Sequence, residues 1–185
     1  MTTDARPTGP MRRLRSAVLL LSLLPVLAAC GDSSTEPEGL DLALVVGTYD
    51  LTTLRFDPQG TLGDTDVFPV LGQDNVQLIL TPSRTAQVVF QDPITALFTT
   101  LQASFRTTET GVRIEFSSNA PYRDLLLSRR MEYTLSGTSL SFDDLAPDGV
   151  QRARLLELVP AFEEEQLLDP TPGRLRVTFA RVGST

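Results

Sequence analysis

Few residues in this chain could do covalent or acid–base chemistry, and their types restrict that chemistry sharply. Among 185 residues there is one cysteine, Cys30, no histidine, and 16 basic residues that are all arginine, a usage that fits a GC-rich genome rather than a function. Without imidazole or a lysine amine, the usual general base and the Schiff-base nucleophile are missing. Ser136-Gly137-Thr138-Ser139 lacks the Gly-x-Ser-x-Gly spacing and has no histidine to activate it, so a conventional serine triad is excluded. Asp143-Asp144 would need to converge to act as a carboxylate pair. Neighbours on a strand point to opposite faces, so the pair is read as a turn before Pro147. Asp57, Asp64 and Asp66, with Gly60 and Gly63 between them, do not follow the spacing of a calcium loop and read as a solvated acidic connection. Zinc is disfavoured because histidine and cysteine supply most of its ligands. The expectation is a protein that is not an enzyme and uses no metal or cofactor.

Cys30 is the exception, because of what precedes it. Met11-Arg12-Arg13-Leu14-Arg15 forms a positive n-region, Ala17 to Leu24 an apolar h-region, and Ala28-Ala29 the small residues that a signal peptidase requires, an order that reads as a secretion signal with Met11 as an alternative start. Leu27-Ala28-Ala29-Cys30 resembles the lipobox of bacterial lipoproteins. That resemblance implies a diacylglyceryl group on the Cys30 thiol, cleavage before it, and acylation of the new amino terminus. Asp32 is then the third mature residue rather than the second. By analogy with enterobacterial lipoproteins, this favours the outer membrane facing the periplasm over the inner membrane. The expected organisation is a signal peptide over 1–29, a flexible tether over 30–40 and one domain over 41–185.

Removing 29 of the 185 residues leaves 156, about the size of one ordinary domain. The leader takes Arg6, Arg12, Arg13, Arg15 and Asp4 with it, so 12 basic residues face 22 acidic ones and the net charge moves from −7 to −10. Such a surface repels nucleic acid and anionic lipid heads, so the expected membrane contact is the lipid on Cys30 and no nucleic acid partner is expected. Gly31 to Gly39 is small, acidic and without apolar residues, the composition of a tether.

From residue 44 onward the dominant period is two. Val76, Leu78 and Leu80 precede a turn at Thr81-Pro82-Ser83-Arg84, and Val88 and Phe90 follow it. Leu101, Ala103 and Phe105 lead through Thr108 to Gly111 into Val112, Ile114 and Phe116; Met131, Tyr133 and Leu135 lead through Gly137-Thr138 into Leu140 and Phe142. With an opening strand near Val45 to Phe56 and a closing one at Leu175, Val177 and Phe179, about eight antiparallel strands are predicted. Residues 57–74 form a long connection with an apolar cluster, read as a mobile lid with Phe68 at its tip. Leu155, Leu158, Val159 and Phe162 have helical spacing, interrupted by Pro160, which predicts two short helices before the last strand.

These elements allow an up-and-down barrel or a two-sheet β-sandwich. Gly47-Thr48-Tyr49 resembles the Gly-x-Trp opening of lipocalins with tyrosine in place of tryptophan, and Arg181 occupies a position comparable to the arginine that packs across that ring. The resemblance implies a mainly all-β, eight-stranded antiparallel up-and-down barrel in which Tyr49 and Arg181 meet at the closed end; in a sandwich they need not be neighbours. It also implies an apolar or amphipathic small molecule held among Phe68, Phe90, Phe105, Phe116, Tyr133 and Phe142, although for any one of the five on strand faces ordinary core packing is by far the commoner role and only the group together favours a ligand. The other expectation is an envelope lipoprotein with a structural or protein-docking role, a filled interior and no ligand.

Overall fold

The computed structural model describes residues 39–59, 62–71, 76–92 and 95–183. Cys30, the signal region and most of the tether lie outside the described residues. A four-residue helix, α1 (Leu42–Val45), precedes the first strand, β1 (Gly47–Pro58). There follow β2 (Thr65–Asp66), α2 (Phe68–Leu71), β3 (Gln77–Leu80), β4 (Thr85–Gln91), β5 (Phe98–Thr107), β6 (Gly111–Phe116), β7 (Arg130–Ser136), β8 (Ser139–Leu145), α3 (Arg152–Leu158) and β9 (Gly173–Arg181). Each strand from β3 to β9 pairs antiparallel with the one before it in space, and β9 returns to pair with β1 from Pro58↔Gly173 to Tyr49↔Arg181. Eight strands thus close into a barrel; β2 is a two-residue addition to β1. The sandwich alternative is set aside by the β1–β9 ladder, since closure leaves no sheet edge.

The period of two orients the walls as expected. In β4, Ala86, Val88 and Phe90 are buried, and in β9 Gly173, Leu175, Val177 and Phe179. β1 breaks the rule once: Leu51 and Leu54, three residues apart, are both buried, because a bulge shifts the register between Leu51 and Thr53.

Three expectations need correction. The opening strand begins at Gly47, not Val45: the Asp41 side chain accepts a hydrogen bond from the Ala43 N–H at 2.9 Å and caps a helical turn that ends on buried Val45. Asp143-Asp144 lie in β8 rather than a turn, paired with Arg176 and Leu175 of β9. The second helix beyond Pro160 is a single 3-10 turn over Glu164–Gln166, capped reciprocally by Glu163 and Gln166; Pro160 lies in a turn and does not open it.

The connections divide by end. At the end where β1 starts, the turns between β3 and β4, β5 and β6, and β7 and β8 are short. At the other end the β4–β5 connection has six residues and the remaining connections are long; these carry β2, α2, α3 and two 3-10 turns.

Candidate functional site

The barrel interior and its two ends are the natural candidate site. At the closed end, the Arg181 guanidinium carbon lies 5.6 Å from the centre of the Tyr49 ring, and the two residues are direct register partners. The Tyr49 hydroxyl donates to the Val45 carbonyl at 2.7 Å, and Arg181 Nη2 donates to the Val46 carbonyl. A guanidinium can sit beside the core because the ring face and a carbonyl replace its water. Gly47 makes room for it: at φ +156°, a Cβ there would lie 2.8 Å from Arg181 Nε. Burial pushes the Tyr49 hydroxyl pKa up, with Arg181 opposing. Leu40 ties the incoming chain to this end through its N–H to the Thr108 carbonyl, 2.8 Å.

Phe90, Phe105, Phe116, Tyr133 and Phe142 are all buried within the barrel. Tyr133 is the hub of a cluster, 6.1 Å from Phe142 and 6.0 Å from Phe179 between ring centres. Phe116 instead stacks on Tyr122, 5.7 Å away, in the connection after β6. Phe68 stands apart from this group on α2, half-buried against the core. The deeply buried residues of that connection are Val67 and Leu71, flanking the expected tip. Asp66 accepts from the Phe68 N–H at 3.1 Å and so caps α2.

The segment 117–129, which carries no periodic signal, occupies the other end. A 3-10 turn over Tyr122–Leu125 stops at Leu126, which adopts φ +60° and turns Leu125, Leu126, Leu127 and Ser128 all into buried positions. A leucine in the left-handed region costs about 1–2 kcal/mol, which burying three leucines exceeds. Leu125 and Leu127 reach the same apolar space as Leu51 and Leu54 of β1 and Val177 and Phe179 of β9. About 10 Å³ remains between them, at the lower limit for one water and far below the roughly 300 Å³ of a small-molecule pocket.

This plug is held by Arg154 of α3, which is only 8% exposed. Its Nε donates to the Asp124 carbonyl at 2.9 Å, Nη2 to Asp92 Oδ2 at 2.7 Å and Nη1 to Glu157 Oε2 at 2.9 Å. One guanidinium therefore joins α3, the β4–β5 connection and the plug. Burial pushes the Asp124 carboxyl pKa up, and the charges of Asp92 and Glu157 add to that while Arg154 opposes it. Neither the plug nor Arg154 was singled out by sequence; a run of three leucines before a serine was the one visible trace.

Of the acidic residues considered for calcium, Asp57 lies within β1 rather than in the connection, Asp66 caps α2, and Asp64 joins two strands. Asp64 accepts from Arg55 of β1 at 3.0 Å and from Arg176 of β9 at 2.7 Å; Arg176 and Arg174 both reach Asp143 of β8. The result is an ion-pair ladder across the β1–β9 seam. Among the described residues no group of three or more potential metal ligands converges.

No family model matches this chain, and no curated protein or solved structure matches it.

Proposed function

We propose that this chain is a lipid-anchored protein of the bacterial cell envelope, with a structural or protein-docking role exercised by its outer surface and an interior filled by its own connections. The observation that carries this reading is the place of Leu125 and Leu127, whose side chains occupy the apolar space between β1 and β9 that a barrel ligand would take. The anchor rests on Leu27-Ala28-Ala29-Cys30 and the leader before it. Native mass spectrometry of the protein purified from its own host tests the interior: the expected mass is that of the acylated chain alone. A stoichiometric co-purifying small molecule would overturn it. For the anchor, Cys30→Ser is expected to abolish incorporation of radiolabelled fatty acid, and unchanged labelling would refute lipidation. Fractionation of the envelope is expected to place the protein in the outer membrane, facing the periplasm.

One observation favours a second reading, in which the barrel binds an apolar or amphipathic small molecule as the lipocalin resemblance implies. The Tyr133 hydroxyl is buried in the apolar interior with Met131 Sδ, 3.6 Å away, as its partner, a weak acceptor that a ligand oxygen would improve on. Burial pushes its pKa up, so it stays a donor. Saturable quenching of a fluorescent fatty acid by the wild-type protein, lost in Tyr133→Phe, would establish this reading in place of the first.

A further inference from the structure

The outer wall over β5, β6 and β7 has a charge opposite to that of the domain. By register, Arg106 faces Arg113, Arg113 faces Glu132, and Glu115 lies between Ser104 and Arg130. Arg129 joins them just before β7. On a domain that carries 12 arginines against 19 acidic residues over 41–185, a net charge of −7, four arginines here meet Glu115, Glu132 and Asp148. Those carboxylates are already engaged. Glu132 takes Arg113 Nε at 3.0 Å, Asp148 takes the Arg129 backbone N–H at 2.8 Å, and Glu115 takes Arg130 Nη2 at 3.1 Å.

The guanidiniums are less fully used. Among the described residues, the Arg129 guanidinium has one ionic neighbour, Glu115 Oε1 at 3.7 Å, beyond hydrogen-bonding distance, and its side chain is 52% exposed. Arg130, 62% exposed, has one bond to the same carboxylate. The hydrogen bond from Arg130, and the charges of Arg129 and Arg106, hold the Glu115 carboxyl below its ordinary range. A cleft of about 420 Å³ lies between Glu115, Arg129, Arg130, Pro147 and Asp148. A second, of about 370 Å³, shares Glu115 and Arg129 and continues over Gln102, Ser104 and Ser117. Together they make one groove with unspent guanidinium donors along it.

We propose that this groove is a binding site for a phosphoryl group, held by the guanidiniums of Arg129 and Arg130. Each planar guanidinium presents parallel N–H donors to an oxyanion. A carboxylate is satisfied by one such fork, whereas two forks beside one another suit a tetrahedral group with three free oxygens. Arg106 adds positive charge and Ser104 and Ser117 add hydroxyls on the β5 side. The inference deepens the reading of the outer surface as the working part of the protein. An envelope lipid headgroup and free phosphate share this chemistry.

The test is calorimetric titration of the full acylated protein, in neutral detergent, with inorganic phosphate. Saturable binding is expected, weakened at least tenfold in the doubly substituted Arg129→Gln, Arg130→Gln protein, whose exposed side chains leave the fold intact by melting temperature. Arg174→Gln, on the seam wall, is expected to leave binding unchanged. Glu115→Gln, which removes one opposing charge from the groove, is expected to tighten it several-fold. Glycerol phosphate separates the sources: tighter binding than inorganic phosphate assigns the site to a lipid headgroup, weaker binding to the free ion. No saturable phosphate binding, binding untouched by the double substitution, or binding weakened by Glu115→Gln would each overturn the proposal. A small molecule found inside the barrel alongside normal phosphate binding would overturn the filled-interior reading and leave this one standing.

Discussion

The two ends of the barrel are sealed by different means. At the closed end a three-residue opening, one helical turn and one arginine suffice: Tyr49, Val45 and Arg181 meet within a few residues of their strand ends. The opposite end needs long connections that fold over one another, with Leu125 and Leu127 in the apolar space and Arg154 joining three of them. The first seal combines a local bond, Tyr49 to the Val45 carbonyl, with a single long-range partner, Arg181; the second is made by contacts among three separate connections.

The largest effect separating the ends is expected from Leu125→Ala combined with Leu127→Ala. Each removes a buried leucine and leaves a cavity, so each costs about 2–5 kcal/mol, and the pair should open apolar space joined to that beside Val177 and Phe179. Chemical denaturation and binding of an apolar fluorescent probe check this together. The double variant should be much less stable and bind the probe, and an unaltered midpoint would show that the segment is not part of the core. Arg154→Ala comes next, at about 3–5 kcal/mol, because it removes a buried cation and its bonds to Asp92 Oδ2, Glu157 and the Asp124 carbonyl, while the bonds from Thr95 to Asp92 Oδ1 stay in place. Hydrogen exchange should rise first over 117–129 while the Tyr49 strand stays protected. Uniform loss of protection would mean that the ends are not independent.

At the closed end, Gly47→Ala is expected to cost about 1–3 kcal/mol, since it forces both an unfavourable φ and a displaced Arg181. Tyr49→Phe should cost about 1 kcal/mol through the lost bond to the Val45 carbonyl. Neither should admit an apolar probe.

The smallest effects lie in pH. The Asp64 carboxyl is held below its ordinary range by hydrogen bonds from Arg55 and Arg176, so its contribution is present above the ordinary carboxylate range and is lost as pH falls through the lowered value. Because this ladder is on the surface, Asp64→Asn should cost only about 0.5 kcal/mol at neutral pH, a cost that shrinks as pH falls below the ordinary carboxylate range. Asp124 runs the other way. Its raised pKa means that the fold disfavours the charged form, a penalty relieved as pH falls through the carboxylate range. Asp124→Asn should therefore raise the neutral-pH melting temperature slightly and lose that advantage in acid. Opposite signs for the two substitutions are the result that matters.

Much of the barrel was legible because strand alternation is a local property. Val88 and Phe90, Val112 to Phe116 and Leu175 to Phe179 reveal their buried faces without reference to anything else. The pairing of Tyr49 with Arg181 was legible for the related reason that both sit on the inward parity of strands whose ends must meet if the sheet closes. Asp143-Asp144 misled because acidic neighbours resemble a turn, and only their pairing with Arg176 and Leu175 shows why a strand tolerates them: Arg174 and Arg176 neutralise Asp143 on the outer face. The aromatic residues were identified as inward-facing, but whether they line a space or fill one depends on what lies between them.

By itself, then, the sequence determined the charge, the exclusion of histidine and lysine chemistry, and the alternation that makes eight walls. Those are matters of composition and of backbone geometry over a few residues. Tertiary structure alone decided that Leu125 and Leu127 enter the apolar space beside Leu51 and Phe179, that Arg154 reaches Asp92 across 62 residues of chain, and that four arginines gather on one wall of an acidic domain. Each of these joins residues whose separation in sequence carries no period, so no local pattern could announce it.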